Sequence, residues 1–236
     1  MTGGLRGVYV AGVQGARRAA ETSGLLGWLS RSQSPRLRHL RTLFAIHDAA
    51  ELARLDLAWW SYPAMRRVEE FLATRTNPRV FEFGAGASTL WLARRAGEVH
   101  SVEHDPAFAE RVRELLASED IGRAGVHAVA PTPATATTTV RSGRRGHRDL
   151  DFADYVATID RVGGTFDLVV VDGRARVDSF NRALEHLAPG GLVVFDNIRR
   201  RRYREVPRRP GLRVELLRGA TPALPYPTTT GLISRA

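Results

Sequence analysis

The run Arg79-Val-Phe-Glu-Phe-Gly-Ala-Gly-Ala-Ser-Thr-Leu-Trp-Leu-Ala93 constrains this chain more than any other. Val80, Phe81 and Phe83 predict a short buried strand. Gly84 and Gly86 follow at once, and Ser88 is placed to cap a helix through Leu90, Leu92 and Ala93. A strand, a tight glycine turn and a helix N-terminus build the ligand crevice of doubly wound sheets. Gly84 permits the turn, and Gly86 permits close approach of backbone to a ligand. The next strand, Val99-His-Ser-Val-Glu103, ends in an acid about twenty residues past the glycines, a spacing that suits ribose hydroxyls. The dinucleotide fingerprint needs a third glycine where this chain has Thr89.

Glu82-x-Gly84-Ala85-Gly86 with Glu103 instead resembles the class I S-adenosylmethionine-dependent methyltransferases. The resemblance implies S-adenosylmethionine as cofactor. It puts Glu82 near the methionine moiety, Gly84, Ala85, Gly86 and Ser88 around it, Glu103 on the ribose and His104 beside the adenine. Trp59-Trp-Ser-Tyr-Pro63 taken with that run is similar to a group of small bacterial methyltransferases of unassigned substrate. Tyr62 thereby joins the candidate cofactor contacts. Trp59, Trp60 and Tyr62 read evenly as a lid over the site or as core, since amphipathic rings serve both.

The rest of the chain alternates predicted helices and strands. Apolar residues from Leu37 to Ile46 and from Met65 to Leu72 recur at helical spacing. His104-Asp-Pro106 opens a helix, and Val126 to Val129 predicts a third strand. Residues 131–149 read as an exposed loop. Asp151 to Val162 reads as helical, and Phe166 to Val171 as a strand buried on both faces. Val177 to Leu187 follows as a helix and Leu192 to Phe195 as another buried strand. Leu212 to Leu217 and Thr228 to Ser234 predict two closing strands. This order predicts an α/β fold: a Rossmann-like, doubly wound, mostly parallel sheet with a C-terminal antiparallel hairpin and an N-terminal helical extension. The resemblance implies seven strands in that sheet. Residues 1–75 are expected to form the extension and lid or substrate side, and 76–236 the cofactor-binding core.

Glu82, Glu103, Asp172 and Asp196 fall at or near predicted strand ends, where ligands collect in open α/β sheets. Asp172 is the candidate for chemistry. Asp172, Asp196 and Asn197 also match the positions that bind a divalent cation in the metal-dependent O-methyltransferases, so the resemblance implies Mg²⁺. Three oxygen ligands suit such an ion. That family's general-base lysine is absent, because Ala175 stands there between Arg174 and Arg176. Those arginines could hold an anionic substrate but not abstract a proton.

Composition narrows the remaining classes. The chain has 236 residues and a formal charge of +10, and all 35 basic residues are arginine. There is no cysteine, so no disulfide, thiolate metal site or cysteine nucleophile. No apolar run approaches the ~20 residues of a membrane span, and a cytoplasmic location is expected. Residues 1–34 read as a frayed or partner-docked extension, with an arginine-rich targeting segment as the competing reading. No Asn/Asp-Pro-Pro-aromatic run follows Asp196, which argues against methylation of nucleobases. The expected activity is therefore methyl transfer to an oxygen of a small molecule. Transfer to nitrogen, aminopropyl transfer and a non-catalytic cofactor-binding module are the alternatives, and assembly into a homo-oligomer is left open.

Overall fold

The computed structural model describes residues 20, 22–45 and 48–236. Val8, Val10, Val13 and Ile46 lie outside the described residues. Among those described, no helix is long and apolar enough to cross a membrane.

The core is a sheet in the order β3-β2-β1-β6-β7-β9-β8. Its strands are β1 (Arg79–Phe83), β2 (Glu98–Glu103), β3 (Ala124–Ala128), β6 (Phe166–Val171), β7 (Leu187–Phe195), β8 (Leu212–Gly219) and β9 (Thr228–Arg235). All neighbours from β3 to β7 pair in parallel, while β9 runs antiparallel between β7 and β8. The chain winds outward from β1 to β3, then returns to lay β6 against the other edge of β1. The strand order thus reverses between β1 and β6, and the loops leaving those strands border a crevice.

The apolar strands are continuous because both faces are covered. Val80, Leu168, Val170 and Val194 belong to one buried cluster, with helices α4 (Tyr62–Ala73), α5 (Ala87–Ala93) and α6 (Pro106–Ser118) supplying the opposing side chains. Phe81, Phe83, Val169, Val171 and Phe195 belong to the other. That cluster is closed by α7 (Ala153–Val156), α8 (Thr158–Val162) and α9 (Arg176–Glu185). The two-residue alternation of a strand sends successive side chains to opposite faces. Asp105 caps α6 by accepting the Phe108 N–H, with Pro106 in the first turn.

Among the described residues, α1 (Leu25–Arg31), α2 (Pro35–Leu43) and α3 (Ala49–Arg54) precede α4. A buried Arg41–Glu51 ion pair ties α2 to α3. Leu52 packs with Ala87 and Ala223, so the extension is fastened to the crevice end of the core. Trp60 is fully buried and meets the edge of Trp91, with ring centroids 5.7 Å apart. It is a core residue rather than part of a mobile cover. Trp59 packs at the edge of the Leu52 cluster.

Two local expectations differ. The 131–149 segment carries a two-stranded ladder, β4 (Thr132–Pro133) with β5 (Leu150–Asp151), and an isolated Arg141–Asp151 bridge. Neither is legible in a Pro/Thr/Ala run. The expected helix over 151–162 is broken at Ala157 into α7 and α8.

Candidate functional site

The glycine turn after β1 is held from beneath by Glu82. Its carboxylate is fully buried and accepts three hydroxyls: Ser88, Thr89 at 2.6 Å and Ser101 at 2.6 Å. Thr89 Oγ1 in turn accepts the Gly86 N–H at 3.0 Å. Ser101 stands opposite Glu82 in the β1–β2 register, which is why a small hydroxyl at that position can reach it. Glu82 is thus an internal brace for the turn. Its two oxygens are spent on the protein. Ser88 is likewise committed: it sits inside α5 with its hydroxyl on Glu82, and the cap position falls to Gly86.

Burial pushes the Glu82 carboxyl up to about 7, although the three hydroxyls pull it down. A raised folded-state value means that the native protein binds a proton which the unfolded chain releases near pH 4.5. This contribution to stability is therefore full below that point and lost as pH rises towards 7. A loss of about 2–3 kcal/mol between pH 5 and 8 is expected from this group. Asp196 shifts in the same direction, so Glu82→Gln isolates the share of Glu82. Urea midpoints that keep the full wild-type pH slope in Glu82→Gln would refute it.

Gly84 and Gly86 serve different ends. Gly84 has φ +103°, and a Cβ there would lie 2.7 Å from the Gly173 Cα and 2.8 Å from its nitrogen. Gly173 is equally confined, since its Cβ would meet the Tyr155 hydroxyl at 2.0 Å. The loops after β1 and β6 therefore touch backbone to backbone at the strand-order reversal. At Gly86 a Cβ would meet nothing within 4 Å, and the φ of 168° is ordinary extended backbone. Among the described residues, no neighbour requires glycine at Gly86. Ala85, between them, is buried.

Glu103 ends β2 with 4% exposure. Its Oε1 accepts the backbone N–H groups of His104 and Asp105, both at 2.9 Å, and contacts His104 Nδ1. Oε2 has no hydrogen bond among the described residues. Near it lie Arg174 Nε and His147 Nδ1, buried with no hydrogen bond among the described residues, and the Tyr155 hydroxyl beside the Arg174 backbone. His104 is 5.4 Å from the His147 ring, which leans on Phe152, and Phe152 on Tyr155. Burial and the nearby Glu103 charge push the Tyr155 hydroxyl well up. Buried polar groups without partners are rare in finished structures and are costly. Sequence reading missed Gly173, Tyr155 and Phe152 as site residues. The Asp-Gly pair at 172–173 was the one legible signal, whereas Tyr155 and Phe152 look like any apolar helix face. The Tyr62 N–H donates to Ala220 O, and its hydroxyl lies 3.5 Å from His39 Nδ1.

The expected metal triad is brought together, but around a side chain. Arg176 donates to Asp172 Oδ1 and to the backbone oxygens of Asp172 and Asp196, and stands 3.8 Å from Asp196 Oδ2. Asn197 turns its amide onto Asp196 Oδ2. Ala175, left-handed at φ 43°, turns the chain just before Arg176. Arg176 is held protonated by both acids, while burial and the neighbouring Asp172 push Asp196 up. A fixed guanidinium within this distance repels a dication. Among the described residues no cluster of three His, Cys, Asp or Glu could hold an ion. These residues do not fit Mg²⁺. Asp172 Oδ2 has no hydrogen bond among the described residues.

A family described as "Methyltransferase domain" matches residues 81–198, from β1 to the loop after β7. The chain belongs to this methyltransferase family. Solved structures share the architecture of the methyltransferase. The O-methyltransferase TomG from Streptomyces achromogenes, involved in tomaymycin synthesis and solved with SAM, is 22% identical, with a TM-score of 0.57 over 80% of this chain and 90% of its own. A cofactor-bound protein from MTB is 24% identical, with a TM-score of 0.57 over 81% of this chain and 88% of its own. An O-methyltransferase from Bacillus cereus, solved with SAH, is 18% identical, with a TM-score of 0.58 over 90% of this chain and 97% of its own. No curated protein sequence matches the methyltransferase. With the family shown, the protein is an S-adenosylmethionine-dependent methyltransferase of class I.

Proposed function

We propose that this methyltransferase acts on an oxygen of a small molecule, with the cofactor laid over the Gly84–Gly86 turn and its ribose on Glu103. The observation that carries the reading is Gly86, on the turn after β1, where a Cβ would meet no atom of the described residues within 4 Å. Ligands of doubly wound sheets collect at this reversal point. S-adenosylmethionine, when bound, supplies an electrophilic methyl group on a sulfonium.

The chain's own task is alignment and proton handling. The Glu82 brace fixes the turn, so little reorganisation remains when a ligand arrives. Glu103 offers Oε2 to the ribose while Oε1 anchors its own turn, giving one carboxylate oxygen rather than a bidentate grip. His147 Nδ1, buried with no hydrogen bond among the described residues, is offered to the rest of the cofactor. Asp172, held through Oδ1 by Arg176, offers Oδ2 to the acceptor's hydroxyl. Arginine takes no proton, and Arg176 stands between the acids where a cation would sit, so an acidic hydroxyl fits best. The O-methyltransferase neighbours are in keeping with oxygen as the target.

Calorimetry with S-adenosylhomocysteine tests the placement. Glu103→Ala is expected to weaken binding by ~1.5–3 kcal/mol, the range for hydrogen bonds to a charged group. The melting temperature should be followed in parallel, because Oε1 also supports the His104–Asp105 backbone. Unchanged affinity in a folded Glu103→Ala would remove the assignment.

A further inference from the structure

Beyond the carboxyl ends of β6 and β7 lies a cavity of about 110 Å³. Six arginines line it: Arg141, Arg144, Arg174, Arg176, Arg200 and Arg202. Arg176 is neutralised by Asp172 and Asp196. The other five make no ion pair among the described residues. Arg141 donates to the Thr135 and Arg148 carbonyls, and Arg202 to the Gly143 carbonyl. Those bonds orient the guanidinium groups without cancelling charge. The carboxylate in the lining is Asp178, and burial pushes it up, towards the neutral form.

Like charges gathered around so small a space repel one another. Burial and Arg144 hold Arg174 below its usual value, and burial, Arg176 and Arg202 do the same to Arg200. Arg141, Arg144, Arg200 and Arg202 reach solvent, while Arg174 and Arg176 are only partly exposed. Here the Arg174 Nε is buried with no acceptor. An arriving oxyanion would relieve the repulsion and supply the missing acceptor, and the guanidinium fork matches carboxylate and phosphate geometry. The cavity continues from Gly173, which touches the glycine turn, so an occupant would sit next to the cofactor's place.

We propose that this arginine-lined cavity is the acceptor subsite, and that it takes a small molecule bearing a carboxylate or phosphate group. The proposal rests on the methyl-transfer reading above and adds the chemical class of the acceptor. A cationic polyamine is repelled, which counts against aminopropyl transfer. A nucleic-acid strand needs an open groove with exposed rings for stacking. The ring in this lining, Tyr203, is buried against Phe195 and beneath Arg202.

The test is calorimetry on the full chain, with and without S-adenosylhomocysteine, using 4-hydroxybenzoate, phenyl phosphate and neutral 4-hydroxybenzamide at fixed ionic strength. We expect at least one of the two anions to bind about tenfold or more tighter than the amide, and which one does so separates carboxylate from phosphate. Arg200→Gln/Arg202→Gln, at two exposed positions, should bring that anion to the level of the amide while S-adenosylhomocysteine affinity is kept. Equal binding of all three probes overturns the proposal. So does anion affinity unchanged in the double variant. Tight, steeply salt-dependent binding of a single-stranded oligonucleotide, with neither small anion preferred over the amide, also overturns it. If S-adenosylhomocysteine fails to bind the wild-type chain, the methyl-transfer reading falls, while the anion titration without it still decides the subsite.

Discussion

Gly84→Ala is expected to cost about 3–5 kcal/mol of stability, combining a backbone region reserved for glycine with overpacking. The clash is with the Gly173 backbone at 2.7 Å, which has no rotamer to turn away. Relief would require β1 and β6 to move apart, and these strands carry Phe81, Phe83, Val169 and Val171 of the core. Gly86→Ala is the contrasting variant. Its new methyl group meets no atom of the described residues within 4 Å. Stability should stay within about 1 kcal/mol, while S-adenosylhomocysteine affinity falls about tenfold or more, because the methyl group fills ligand space. Urea denaturation and calorimetry on both variants decide the matter. A Gly84→Ala midpoint equal to wild type, or a Gly86→Ala that binds normally, would break the division of labour between the two glycines.

Arg176→Leu is expected to lose about 3–5 kcal/mol at pH 7.5, the cost of leaving buried charge without its partner. The side chain is 9% exposed and serves both Asp172 and Asp196. The deficit should shrink towards pH 5, because the raised Asp196 can then take a proton instead of facing Asp172 as a second bare carboxylate. Millimolar Mg²⁺ should recover part of the stability in Arg176→Leu and do nothing for the wild type, since only the variant vacates the place between the acids. Equal urea midpoints for variant and wild type at pH 7.5 would show that the guanidinium is not the counter-charge it resembles.

Much of the architecture was legible because strand burial on two faces leaves continuous apolar runs. Phe166–Val171 and Leu192–Phe195 could be placed from that alone, and the closing hairpin from two strands without a helix between them. The glycine turn and Glu103 were legible because their backbone demands restrict residue type. Partners made across elements were not. Glu82 carries the family's spacing, but only the fold shows that Ser88, Thr89 and Ser101 consume its oxygens. Asp172, Asp196 and Asn197 formed a plausible ligand set until a left-handed Ala175 swung Arg176 among them. Trp60 offered no choice between lid and core, because either role needs a large ring at that position. Its contact with Trp91 decides it.

The Arg176 cation has a consequence for how the enzyme would be supplied. A metal-dependent catalyst exists in loaded and empty forms, and the balance follows the free ion in its surroundings. A counter-charge that belongs to the chain is present at one equivalent from the moment of folding, and no chelator or competing ion removes it. Guanidinium also keeps its proton across the whole biological range. The same permanence limits it, because a side chain cannot exchange its ligands or draw two acceptor oxygens into its coordination sphere.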